Sequence, residues 1–316
     1  MARSNNLIGL SSSYYGFQGK KVYDSAKRVF DLGFETVELG AGHGPEPKIW
    51  ETIKRIKHDF PDKNYTLHGL FPPPKERMWF NASNGLTSEN VRIVEAFFKA
   101  ASIVEAEVVS IHPGFTEQLV WKKGQEPMSQ PLSQNKIDVE KAWPKFYQVM
   151  EKCLALADDV GCVFAIENIP KIAIPLVYSV QDFENVFQKF PGLGLLLDVG
   201  HALYDRLLPQ FLEAHSSKVA QVHMHFSRPE GEAAKTDEHE PITSLEQIEP
   251  LRAVKQFNKI PVIFEHSTNI SEKQILAEKK LVEGFGKKNF PDVLASEKSL
   301  AKDWLSKQEE EAWKYL

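Results

Sequence analysis

Residues 193–202 read LGLLLDVGHA, an apolar run that ends on Asp198 and is followed by His201 in the next turn. Short runs rich in aliphatic residues are typical of parallel strands that are buried on both faces. The two polar side chains lie three residues apart, so both can face one cavity. Because carboxylates and imidazoles are common metal ligands, the stretch predicts a strand whose carboxyl end carries candidate ligands.

Several other runs end in the same way. Their ends carry His68 (YTLHG), His112 (VVSIHPG), Glu167 (VFAIEN), His223 and His225 (VAQVHMHF) and Glu265 (PVIFEHS), while Asp237 and His239 lie in TDEHEP. A lone histidine in a strand is usually a core residue, but a repeated bias toward strand ends is not expected from packing. Side chains alternate along a strand, so His223 and His225 share one side. His225 is nearer the carboxyl end and is the predicted ligand, with His223 deeper as its support.

Strand-like runs and helical patterns alternate along the chain. The predicted strands lie near 7–11, 35–39, 64–68, 107–112, 162–167, 193–198, 219–226 and 261–265. This alternation favours an α/β fold, a closed (β/α)₈ barrel, over a sandwich or a bundle. A doubly wound open sheet would normally carry a glycine-rich phosphate turn, which the sequence lacks. We predict one barrel domain over 1–288 and a helical extension over 289–316.

Three predicted loops, 69–86, 113–137 and 226–245, are long and follow strand ends. In a barrel they lie at the catalytic face, where long loops usually shape a substrate pocket. They carry the aromatic residues Phe71, Trp79, Phe115 and Trp121, and basic candidates for holding a phosphate: Lys75, Arg77, Lys122, Lys123, Arg228 and Lys235, with Lys171 after another strand. In the tail, Leu294, Leu300, Trp304 and Trp313 form an amphipathic helical pattern.

Composition narrows the class of protein. Hydrophobic residues make up 42% of the 316 residues, which is ample for a packed core, and the net charge of −5 argues against a globally basic nucleic-acid binder. Cysteine occurs only at Cys153 and Cys162, so a disulfide framework is not expected. No run approaches the roughly 20 apolar residues of a membrane helix. We therefore expect a cytoplasmic protein.

The strand-end motifs resemble those of the xylose-isomerase-like barrel superfamily, which includes sugar isomerases, sugar epimerases and endonuclease IV-type enzymes. The resemblance covers roughly residues 5–285, and DVGHA and DEH are its most specific parts. It implies that Glu167, Asp198, His225 and Glu265 form the divalent-metal site of the isomerase and epimerase branch. It also implies that His68, His112, His201, Asp237 and His239 complete the ligand set of the endonuclease IV branch, which binds three zinc ions.

Two functions follow from this resemblance. The first is multinuclear hydrolysis of a phosphoester, with two or three zinc ions or with manganese or another divalent metal, in the manner of DNA-repair endonucleases. The alternative is a single-metal sugar or sugar-phosphate isomerase or epimerase, in which Glu167 and Glu265 move a proton and His201 helps to bind substrate. The endonuclease branch inserts an arginine-bearing loop into DNA, but residues 37–47 contain no arginine. A small sugar phosphate or phosphoester is therefore the better-supported partner, and weak duplex binding is expected.

Overall fold

Eight parallel strands close into a barrel in the computed structural model, which describes residues 7–69, 71–74, 80–120, 132–229, 231 and 237–287. The barrel strands are β1 (Ile8–Ser11), β2 (Thr36–Leu39), β3 (Asn64–His68), β4 (Val108–Ile111), β7 (Val163–Glu167), β8 (Gly194–Asp198), β9 (Val219–Met224) and β10 (Val262–Phe264). Each strand pairs with its neighbour along the chain, and β10 closes the barrel against β1. The predicted (β/α)₈ barrel is confirmed.

Helices surround the barrel. They are α1 (Ser13–Gly16), α2 (Val22–Asp31), α3 (Ile49–Asp59), α4 (Ser88–Val104), α5 (Val139–Val160), α6 (Val180–Lys189), α7 (Val199–Tyr204), α8 (Leu208–His215) and α9 (Glu272–Lys287). Their ends follow local signals. Ser179 and Asp182 form the capping box that begins α6, and Gly33 after α2 takes a φ of +80°. Glycine suits this position because it has no Cβ to clash in the left-handed region.

The connection from β9 to β10 differs from the others. Its described residues, 225–229, 231 and 237–261, contain the 3₁₀-helices Glu249–Ala253 and Phe257–Lys259 in place of an α-helix. This stretch contains three prolines, Pro241, Pro250 and Pro261. Proline lacks the N–H that a continuous helix needs. The remaining 3₁₀-helices are Ala82–Asn84, Lys171–Ala173 and Ser216–Lys218.

The barrel interior explains why the strand-end residues converge. Val108, Ala165 and Leu196 form a small buried cluster separate from the main core between strands and helices. Side chains two residues apart on a strand share a face. Glu167 follows Ala165 by two residues and Asp198 follows Leu196 by two, so both carboxylates project inward above this cluster.

The predicted loop 113–137 contains a two-stranded antiparallel sheet, β5 (Glu117–Val120) and β6 (Leu132–Lys136). Phe71 and Phe115 are buried, as expected of aromatic residues on these loops. Trp79, Trp121, five of the basic loop candidates (Lys75, Arg77, Lys122, Lys123 and Lys235) and the tail 288–316 lie outside the described residues. Among the described helices, none is long and apolar enough to cross a membrane.

Candidate metal centre

Glu167, the last residue of β7, lies among four histidines. Its Oε2 is 3.2 Å from Nε2 of His68 and 3.2 Å from Nε2 of His112. Its Oε1 is 3.4 Å from Nδ1 of His201 and 3.5 Å from Nδ1 of His223. The side chain is buried, yet neither oxygen accepts a hydrogen bond. Because a buried carboxylate whose oxygens accept no hydrogen bond is costly, this arrangement fits a carboxylate that bridges two cations.

The first donor group consists of His68, His112 and Glu167. Nδ1 of His68 is 3.0 Å from Oγ of Ser110, and that hydroxyl donates to the carbonyl of Leu67 at 3.3 Å. The hydroxyl therefore accepts a hydrogen bond from Nδ1–H of His68. The lone pair on Nε2 is then directed toward Glu167, as a metal ligand requires.

The second donor group consists of Glu167, Asp198, His223 and Glu265. Nδ1 of His223 is 3.1 Å from Oε2 of Glu265 and 3.8 Å from Oδ2 of Asp198. It is buried and makes no hydrogen bond. Oxygen and imidazole donors of this kind suit zinc, manganese and related divalent ions.

The structure differs from the sequence prediction in the histidine of this group. His225 was expected there, but His223 pairs with Asp198 in the ladder between β8 and β9 and lies at the same height. His225 follows the end of β9 at Met224, and its ring stacks on His239 with centroids 3.9 Å apart. Its Nε2 remains 3.0 Å from the Asp198 carboxylate. His225 therefore links the second and third groups.

Glu38 on β2 supports His223 from inside the barrel. Its Oε2 lies 2.9 Å from Nε2 of His223 and accepts a hydrogen bond from Nε2 of Gln221 at 2.6 Å. His223 can therefore donate Nε2–H to Glu38 and direct Nδ1 into the donor group. A carboxylate behind a ligating histidine fixes its tautomer and raises its basicity.

The third donor group consists of His201, His225, Asp237 and His239. Oδ2 of Asp237 is 2.9 Å from Nε2 of His201 and 2.8 Å from Nε2 of His239. Nδ1–H of His201 donates to the carbonyl of Asn168 at 3.0 Å, and Nδ1–H of His239 donates to that of Glu265 at 3.0 Å. Both Nε2 atoms are thus left for the group. The nine predicted residues converge, together with His223.

The carboxylates and imidazoles of the centre shift each other's pKa values. Burial alone raises the pKa of Glu167, but the imidazoles around it hold the pKa well below its usual range. Burial lowers the pKa of His201, but the carboxylates of Asp198 and Asp237 outweigh it and raise the pKa well above its usual value. For His239, the Asp237 charge outweighs burial and raises the pKa to about 9. Because ligating imidazoles must be neutral, cation binding displaces such protons.

Two of the predicted loop cations, Arg228 and Lys171, are among the described residues. Arg228 lies 3.3 Å from Glu240 and 3.7 Å from Glu238, so its charge is paired on the loop itself. The backbone N–H of Lys171 donates to Asp205 at 2.8 Å, which fixes the start of its 3₁₀-helix.

In the turn after β8, the backbone at Gly200 lies very close to the ring of His225. Asp198 caps α7 by accepting the N–H of His201 at 2.7 Å, which places both side chains in the centre. Gly200 lies against His225: a Cβ there would be 2.0 Å from Cε1 and 2.1 Å from Nδ1 of the ring. Glycine is thus required by the neighbouring histidine.

We expect Gly200→Ala to displace His225, to destabilise the protein by about 1–3 kcal/mol as overpacking does, and to lower its metal content. The matched control is Gly284→Ala, because Gly284 is also helical and a Cβ there has nothing within 4 Å. That change should stabilise the protein by about 0.5–1 kcal/mol. Denaturant unfolding and elemental analysis measure both effects. Equal behaviour of the two variants would contradict the close contact.

Together, the fold and the donor groups define a (β/α)₈ barrel with a candidate multinuclear metal centre at the carboxyl ends of its strands. The family model for the xylose isomerase-like TIM barrel matches residues 26–280. The chain belongs to this family. A search of curated protein sequences gives no match.

Solved structures of diverse function share the fold. A D-tagatose 3-epimerase-like protein has a TM-score of 0.61 at 17% identity, covering 88% of this chain and 96% of that one. An AP endonuclease, family 2, from Brucella melitensis has a TM-score of 0.60 at 13% identity, covering 89% and 99%. The IolI protein with a bound zinc atom has a TM-score of 0.59 at 14% identity, covering 87% and 96%. At these identities, the likeness establishes the fold alone.

Proposed function

We propose that the protein is a metal-dependent hydrolase of phosphoester bonds that binds three divalent cations, with zinc as the preferred metal. One observation carries the proposal: each oxygen of buried Glu167 lies within 3.5 Å of the nitrogens of a different pair of histidines. This supports a bridging carboxylate between two cations. The third group, around Asp237, adds a further set of donors that a single-metal isomerase would not use.

The chain's own residues would divide the work. His68 and His112 would hold one cation with Glu167. Asp198, His223 and Glu265 would hold the second with the same carboxylate, and His201, His225, Asp237 and His239 would hold the third. When bound, the cations would supply a water-derived nucleophile and stabilise the charge of an in-line displacement. No serine or cysteine nucleophile is needed, and Cys153 is buried in the core.

The exposed ligands indicate where substrate would enter. The side chain of His112 is 32% exposed, and those of Glu265 and His239 are each 24% exposed. In contrast, Glu167, Asp198 and His223 are almost fully buried. A phosphoester would therefore approach between His112, Glu265 and His239. The buried carboxylates would hold the cations while remaining out of contact with substrate.

A sugar isomerase or epimerase is the second candidate, and the group of Glu167, Asp198, His223 and Glu265 favours it. Four ligands around one cation would orient neighbouring oxygens of a sugar. Glu265 or Glu167 would then remove a proton from one carbon and return it to another, as a positioned carboxylate can. In that reaction, His201 would contact substrate, while Asp237 and His239 would have no chemical role.

Counting metals and testing substrates separates the two functions. We expect protein reconstituted with zinc or manganese to contain three ions per chain and to cleave bis(p-nitrophenyl) phosphate. One ion per chain, with ketohexose epimerisation and no phosphodiester cleavage, would favour the isomerase and overturn the hydrolase. Duplex DNA with an abasic site belongs in the same panel. A protein that neutralises many phosphates binds DNA with a steep salt dependence. Because this chain is acidic and residues 37–47 contain no arginine, we expect weak binding to duplex DNA with a shallow salt dependence.

A further inference from the structure

Glu278 is a buried carboxylate on the apolar face of α9. Among residues 272–285 of that helix, the other buried ones are Ile275, Val282 and Phe285, and the four positions follow a regular helical spacing of three and four. An apolar residue is the default at such a position. Burying an ionised carboxylate is costly unless it is paired and hydrogen-bonded. Glu278 therefore calls for a specific partner.

The partners of Glu278 lead to the loop of the third donor group. Oε1 accepts the N–H of Ile242 at 2.8 Å, and Oε2 lies 2.5 Å from Nε2 of His266. The other ring nitrogen of His266, Nδ1, lies 3.3 Å from the carbonyl of His239 and can donate to it. The side chains of Glu278 and His266 are both 0% exposed. The pair thus ties α9 to the backbone at His239 and Ile242.

That backbone needs external support. His239 has a φ of +48°, in the left-handed region, which costs a non-glycine residue about 1–2 kcal/mol. Such conformations persist only where surrounding contacts enforce them. The contact from His266 falls on the carbonyl of His239 itself. The contact from Glu278 falls three residues later, on Ile242. His266 therefore holds the strained residue itself, and Glu278 holds the segment that follows it.

We propose that Glu278 and His266 form a positioning pair that fixes residues 237–242 and thereby assembles the third cation site. Neither residue belongs to a donor group, so both act through the loop. The inference deepens the proposed function and rests on it for the third cation. The order of the loop, however, is measurable in metal-free protein.

The test compares Glu278→Leu with Glu272→Gln, a control that removes another carboxylate of α9. Glu272 binds Arg28 and Tyr15, away from the loop. In metal-free Glu278→Leu, the amide of Ile242 should lose its protection from hydrogen exchange, while the control should keep it. With zinc as the probe, the affinity for the third ion should fall about 10–100-fold, as loss of a supporting partner does. The other two ions should remain.

Glu278→Gln provides a second variant should the leucine variant fail to fold. Its amide keeps an acceptor for Ile242 and loses only the charge, so it should bind the third ion with intermediate affinity. Unchanged exchange at Ile242 together with unchanged third-ion affinity in either variant would overturn the positioning pair. If the wild type binds fewer than three ions, the three-cation form of the proposed hydrolase fails. Exchange in metal-free protein then still decides whether the pair orders the loop.

Discussion

Replacement of Glu167 by glutamine should remove two of the three cations and lower phosphodiester cleavage by at least about a thousand-fold. The amide is neutral, and its nitrogen is not a ligand. It therefore cannot bind both the cation proposed at His68 and His112 and the cation proposed at His223. Two adjacent cations contribute several kcal/mol of charge stabilisation, and about 4 kcal/mol corresponds to a thousand-fold in rate. Elemental analysis and initial rates on bis(p-nitrophenyl) phosphate measure the two effects.

Glu38→Gln is the matched control for this change. Glu38 is also a buried glutamate at the end of a barrel strand, but it contacts Nε2 of His223 and belongs to no donor group. Its replacement should weaken metal binding only about 10–100-fold, as loss of a carboxylate behind a ligand does. If the two variants lose the same number of ions and the same rate, Glu167 is not a bridge.

The barrel could be predicted because its signals are local. In residues 193–198, an aliphatic run defines β8, and Asp198 at its end defines the side that faces the cavity. Strand ends in a parallel barrel share one face, so residues far apart in sequence were expected to meet. Three donor groups are indeed formed from strand ends and from the loop at Asp237.

The choice between His223 and His225 could not be made from the sequence. Alternation shows which side of a strand a residue faces, but depth depends on register between strands. The ladder from β8 to β9 contains an irregularity between Leu195 and Leu196, after which Asp198 pairs with His223. His225, which is nearer the end of the strand, therefore lies outside the second donor group. The sequence of β9 gives no sign of this shift in register between the two strands.

Non-local contacts also explain the other elements that sequence reasoning missed. Residues 132–136 (LSQNK) lack the alternation of apolar and polar residues that indicates a strand, and β6 forms by pairing with β5. Glu278 lies on the apolar face of α9, and no residue near it in the sequence indicates what its carboxylate contacts. Its partners lie 12 and 36 residues away, at His266 and Ile242, and become visible only in the folded chain.

Asp237→Asn combined with His239→Ala should remove the third cation and leave the first two in place. The neutral amide at residue 237 faces His201, and alanine at 239 supplies no donor. A hydrolase that uses this cation to stabilise developing charge should lose about a hundred- to a thousand-fold in rate, the usual cost of losing one electrostatic stabiliser. An isomerase should lose far less, because Glu167, Asp198, His223 and Glu265 are untouched. Phosphodiester cleavage and ketose–aldose exchange are measured side by side.

The control for the double variant is Glu240→Gln, on the same loop. Glu240 lies next to His239, but its carboxylate contacts Arg228 on the outer side of the loop, 3.3 Å away. Loss of this exposed pair should change stability by about 1 kcal/mol or less and should leave the metal content at three. If the double variant keeps full phosphodiesterase activity with two cations bound, the third cation has no part in hydrolysis. A two-cation mechanism centred on Glu167 would then replace the one proposed here.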